Sequence, residues 1–180
     1  MNTPDISSTA SRLCAACGMC CNGVLFHIVR LQAGESPKAM AALGLKVKRK
    51  RGESHVTQPC AAHCDSQCVI YASRPQRCRA FACRQLQRVA SGEISEAMAR
   101  DKISEAVQLV AQVDALLLLA GGGNLKKPLT QRCETALAEP HEPSLLETKS
   151  EIRRLKAKLD ALLEQDFRTE PIGASSAASS

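Results

Sequence analysis

Aromatic side chains are scarce in this chain: its 180 residues contain no Trp, one Tyr and three Phe. A core without large rings must be filled by Leu, Ala and Val, which favours packed helices over a β-sandwich. The same scarcity argues against nucleic acid as a partner. Lys46, Lys48, Arg49, Lys50 and Arg51 form one basic stretch, and Arg74, Arg77, Arg79, Arg84 and Arg88 form a second, within a formal net charge of +6. Nucleic-acid surfaces place stacking rings among such charges, and these stretches have almost none. Long apolar runs are lacking too. The longest, Ala115 to Ala120, is too short to span a bilayer. No leading segment joins a basic start to an apolar stretch and a small-residue cleavage site. The expectation is therefore a cytoplasmic protein with no membrane association. Motifs for flavin, nucleotide or a methyl donor are absent, and Gly121-Gly122-Gly123 lacks the Lys and Ser/Thr of a phosphate loop. Neither a catalytic serine arrangement nor a carboxylate pair stands out.

Cysteine, by contrast, is abundant. Nine of the ten cysteines fall in two runs: Cys14, Cys17, Cys20 and Cys21, then Cys60, Cys64, Cys68, Cys78 and Cys83; Cys133 sits apart. In a reducing compartment such spacings point to metal or redox chemistry rather than a disulfide framework. Thiolates so closely spaced can converge on one small volume, so the runs read as one metal site split in sequence. Gly18 permits the tight turn this needs. Cys20 and Cys21 are adjacent and leave the backbone in different directions; they serve two metals, two edges of a cluster, or one structural role each. Two zinc ions would use eight thiolates and a four-iron cluster four, and Cys-x-x-Cys spacing suits either metal. His63, beside Cys64, would make a mixed site, whereas His27 reads as a strand residue. Arg74 and Arg79 flank the second run, where positive charge lowers thiol pKa values; surface ion pairing is the alternative role.

The predicted fold class is α+β: an irregular, cysteine-rich, metal-binding N-terminal half with short strands, then a mainly helical C-terminal half. The expected organisation is a flexible N-terminus (1–12), a cysteine-cluster domain (13–91), a helical extension (92–140), a coiled-coil-like helix (141–167) and a disordered tail (168–180). Val24 to Val29 reads as a strand, and Glu35 to Leu43 as a helix with Pro37 in its first turn and Gly44 as its stop. Leu45 to Arg51 is expected to pair with His55-Val56-Thr57 across Gly52. A helix after Pro75 carries Cys78 and, past a break, Cys83. Ile94 to Ala120 reads as one amphipathic helix with Ile94, Met98, Ile103, Val107, Val110, Val113, Leu117 and Ala120 near one stripe. Pro128 to Leu137 is a shorter helix. In Ser144 to Phe167, Leu145, Ile152, Leu155, Leu159 and Leu162 form a seam that packs back on the long helix or pairs with a second copy.

Cys14-x-x-Cys17-x-x-Cys20-Cys21, followed by Cys60 and by Cys68-x-Ile70-Tyr71-x-x-Arg74-Pro75-x-x-Cys78-Arg79-x-Phe81-x-Cys83, resembles the YkgJ-type CxxCxxCC family of cysteine-cluster proteins, a zinc- or iron-chelating domain. It is also similar to the cysteine-rich part of flagellin lysine N-methylases, which implies iron–sulfur chemistry. The resemblance covers roughly residues 14–85 and places Cys14, Cys17, Cys20, Cys21, Cys60, Cys68, Cys78 and Cys83 on the family's cysteine positions. Cys64 and Cys133 are extra, and Ala61-Ala62-His63-Cys64 departs from the apolar stretch usual there.

The resulting expectation is a cytoplasmic metal-binding protein that holds zinc, or iron as an iron–sulfur cluster, through both runs, so that the metal helps fold the domain. Two alternatives stand beside it. One is an iron–sulfur protein-modifying enzyme resembling the flagellin methylases. The other is a zinc-folded interaction module whose 144–167 helix meets a protein partner or forms a homodimer.

Overall fold

A computed structural model of the chain describes residues 6–65, 67–138 and 143–169. Most of the tail expected to be disordered, and the first five residues of the lead-in, lie outside the described residues. The chain order is α1 (Ile6–Cys17), β1 (Ile28–Arg30), α2 (Pro37–Ala42), β2 (Val47–Lys50), β3 (Glu53–Thr57), β4 (His63–Cys64), β5 (Gln67–Cys68), α3 (Gln76–Ala80), α4 (Arg84–Ala90), α5 (Glu96–Leu119), α6 (Leu129–Ala138) and α7 (Leu146–Asp166). Short strands gather in the cysteine-rich half and helices dominate the rest, so the fold is α+β as expected. Helix α1 begins at Ile6, inside the stretch expected to be a flexible lead-in.

The helical core forms around α5, whose Ser95 side chain accepts a hydrogen bond from the Met98 amide at 3.2 Å. Gly121 ends it at φ +78°, a conformation that costs glycine little. Its buried line is Ala99, Ile103, Ala106, Leu109, Val113 and Leu117. Two residues expected on that stripe lie outside it: Met98 is 57% exposed and Val107 38%. The buried line runs beside them through Ala99 and Ala106, where a single methyl lets a neighbouring helix approach closely, so bulk alone misplaces the stripe.

Helix α7 lays Ile152, Leu155, Leu159 and Leu163 into this core, and Phe167 is wholly buried just beyond it. The seam of the last helix thus packs back on the long helix. Three contacts fasten the end of α7 to the start of α4. The Arg84 amide donates to the Phe167 carbonyl at 3.0 Å, Gln85 Nε2 to the Asp166 carbonyl at 2.8 Å, and the Arg84 guanidinium to the Gln165 carbonyl. Asp166, mostly buried, lies 3.7 Å from both Arg88 and Lys102. Buried Arg132 of α6 pairs with Asp114 of α5 at 2.7 Å and donates to the Gly122 carbonyl at 3.1 Å.

The sheet half is smaller. Strands β1, β3 and β2 form an antiparallel sheet in that order, with Val29 opposite Val56 and Val47 opposite Val56. Arg51 and Gly52, both at positive φ, form the two-residue turn joining β2 to β3, as the basic hairpin required. The expected helix near Glu35 is α2, with Pro37 in its first turn and Ser36 as its cap. The strand expected from Val24 starts only at Ile28. Val24 and Leu25 are instead buried in the helical core, their amides taken by Asn22 Oδ1 at 3.1 Å and the Met19 carbonyl at 3.0 Å. Leu45, Val56 and Ala62 are the buried centre of the sheet half.

Candidate metal centre

Helix α1 carries Cys14 and Cys17 in its last turn and stops at Gly18, φ +63°. A side chain at Gly18 is disfavoured twice over: by that φ, and because a Cβ there would lie 3.1 Å from two atoms of the His63 ring. The Cys21 and Asn22 amides donate to the Gly18 carbonyl at 2.8 and 2.9 Å, closing the turn that presents Cys20 and Cys21. The Cys21 carbonyl accepts from the Cys60 amide at 2.7 Å, which joins the two runs through the backbone. Cys68 then faces His63 across the β4–β5 pair, Cys78 sits in α3 behind Pro75, and Cys83 is the N-cap of α4.

Cys14, Cys17, Cys20, Cys21, Cys60, Cys68, Cys78 and Cys83 all line one cavity of about 600 Å³. The eight cysteines singled out in the sequence are therefore brought together. Cys64 is exposed and Cys133 is buried in the helical core; neither lines the cavity. Apolar side chains form much of the wall, including Phe26, which meets Phe81 edge-on at 4.9 Å between ring centres. His63 is in the wall too, its Nε2 buried with no hydrogen-bond partner, whereas His27 is exposed ahead of β1.

Burial dominates the electrostatics. It pushes the thiols of Cys17 and Cys21 up to about 12, Cys78 to about 11 and Cys20 well above the ordinary range. Cys14, Cys60 and Cys83 rise for the same first reason. The thiols also repel one another's ionisation. Cys17 is raised by Cys83, Cys14 and Cys21, Cys20 by Cys17, Cys83, Cys21 and Cys14, and Cys21 by Cys60, Cys68, Cys78 and Cys14. Arg74 opposes this at both Cys14 and Cys78. Its guanidinium lies 3.5 Å over the Tyr71 ring, and the Tyr71 hydroxyl is 2.7 Å from Ser11 Oγ on α1. Arg74 thus takes the thiol-facing role. Glu35 has no signature in the sequence as part of the site. Its carboxylate accepts from the Gln32 and Gln76 amides, each at 2.7 Å, and so positions the start of α3, forty-one residues away.

Soft donors gathered at this density suit zinc or iron, and the orphaned His63 nitrogen adds a further soft donor to the same wall. The donor set therefore fits such a metal in kind and location. Among the described residues, however, no group of three or more His, Cys, Asp or Glu side chains is arranged to hold a metal ion as it stands. The thiols are collected but not closed. Strand β5, which carries Cys68, pairs with β4 over only two residues.

No curated protein and no solved structure matches this chain. Residues 13–106, just over half of its length, match the family CxxCxxCC, described as "Putative zinc- or iron-chelating domain". The matched stretch contains every cysteine that lines the cavity, and the chain belongs to the CxxCxxCC family.

Proposed function

We propose that this protein is a cytoplasmic metal carrier or metal-folded module that holds zinc or an iron–sulfur cluster through Cys14, Cys17, Cys20, Cys21, Cys60, Cys68, Cys78 and Cys83. The observation that carries this reading is the convergence of eight cysteines, far apart in sequence, on the wall of one cavity. Burial makes free thiolates there costly, and a coordinated cation reverses that balance by taking the thiol in its deprotonated form. The metal would fasten the loop after α1 to the segment from Cys60 to Cys83, joining the sheet half to the helices. Bound zinc would supply structure, and an iron–sulfur cluster would add electron transfer. The chain's own residues contribute the dry wall of Phe26 and Phe81 and the compensating charge of Arg74.

Metal content and an optical spectrum, taken on protein purified without oxygen, test the reading. Iron with acid-labile sulfide and a visible band identifies a cluster, and stoichiometric colourless zinc identifies a structural ion. Free thiols with neither metal would overturn the reading.

A further inference from the structure

Four of the eight cysteines divide by the core they rest on, and the others by the elements that carry them. Cys14 and Cys17 end α1, Cys83 begins α4, and α1 packs against α4. Cys17, Cys20 and Cys83 all lie against the helical core. Cys60 lies instead against the sheet core and is bonded through its amide to Cys21. Cys68 is on the neighbouring β4–β5 pair, and Cys78 is on α3, which packs against β1.

Resting on the metal-binding reading above, we propose that the protein holds two separate four-thiolate centres: Cys14, Cys17, Cys20 and Cys83 on the helical side, and Cys21, Cys60, Cys68 and Cys78 on the sheet side. The peptide bond between Cys20 and Cys21 is the divider. Two adjacent residues direct their side chains apart, so one ion cannot take both without strain, while two ions each take one. The tight turn after Gly18 suits this division, since it holds the Cys21 amide against the Gly18 carbonyl and leaves the Cys21 carbonyl for Cys60. Arg74 lines the same cavity as both sets and brings positive charge to it. Loading is an exchange without oxidation: each thiol releases its proton to solvent as its sulfur binds the divalent ion.

Zinc alone is a sufficient probe, because a four-thiolate site accepts it whichever metal it holds in the cell. Native mass spectrometry of the full chain, stripped under reducing conditions and titrated with zinc, is expected to show two tightly held ions. Alkylation of the one-zinc species, mapped by peptide, is expected to show four cysteines of a single set protected together. Cys17→Ser/Cys83→Ser and Cys68→Ser/Cys78→Ser should each retain one ion, and Cys64→Ser should retain two. A single ion, or protection scattered across both sets, would overturn the two-centre proposal and leave the metal-binding reading standing. No bound zinc would overturn the two-centre proposal, and if the unstripped protein also holds neither iron nor zinc the metal-binding reading falls with it. The mass and the protection pattern come from the unaltered chain, so they decide the matter even where a double variant does not fold.

Discussion

The helical and sheet halves of this molecule are held together by different means. In the helical half, two long helices bury a continuous line of side chains from Ala99 to Leu117 and from Ile152 to Leu163, and Phe167 closes one end. In the sheet half the buried apolar centre is Leu45, Val56 and Ala62, on ladders of two to four paired residues. Three side chains of that size offset little of the entropy lost in ordering some forty residues. A region so short of core needs cross-links, and thiolates are the cross-links available here. The difference marks the thin core of the sheet half as the place where a bound metal would add most.

Removing the metal should therefore have the largest effect, and an uneven one. With a strong chelator under reducing conditions, hydrogen exchange is expected to open the amides of β1 to β5 while those of α5 and α7 stay protected. Equal opening of both halves would erase the contrast. Next in size is Leu159→Ala, which empties a wholly buried position between α7 and α5. It should lower stability by about 3 kcal/mol in urea unfolding of the loaded protein. A loss below about 1 kcal/mol would mean that the helices are not the self-sufficient half. Val56→Ala removes the centre of the sheet core and should cost about 1.5 kcal/mol by the transfer value of the lost groups. Should it cost more than Leu159→Ala, the ranking of the two cores is inverted.

The smallest effect is electrostatic. Hydrogen bonds from Arg12 and then Arg100 hold the Glu96 carboxyl down to about 2. A lowered carboxylate pKa adds stability above the ordinary value near 4.5, and that stability fades as pH falls towards 2. Glu96→Gln should therefore lower the melting temperature slightly at pH 7, with a gap that closes on acidification. A gap that widens in acid would assign Glu96 the wrong sign.

What was legible in the sequence follows the same division. The two cysteine runs pointed to the cavity, and the family resemblance separated the eight residues that line it from Cys64. The first turn of α2 and the β2–β3 turn were legible from Pro37 and Gly52. The α5 stripe was only half legible, since its buried line passes through Ala99 and Ala106, whose small side chains carry little signal. The start of β1 was misplaced because the apolar Val24 and Leu25 are claimed by the helical core. Glu35 and the grip of α7 on α4 were not legible at all. Both depend on backbone atoms brought together across long stretches of chain.

That grip has a consequence for synthesis. Cys83 is translated early, but the carbonyls of Asp166 and Phe167 that anchor the residues beside it leave the ribosome roughly eighty residues later. At about 5–20 residues per second this is a delay of about 4–16 s. Through that interval the thiols of the helical set are exposed to the metals and oxidants of the cell without their frame. Nascent chains stalled before Leu163 should leave Cys83 open to alkylation, and chains stalled well past Phe167 should close it. The last helix thus acts as a timer on when the first half of the chain can settle.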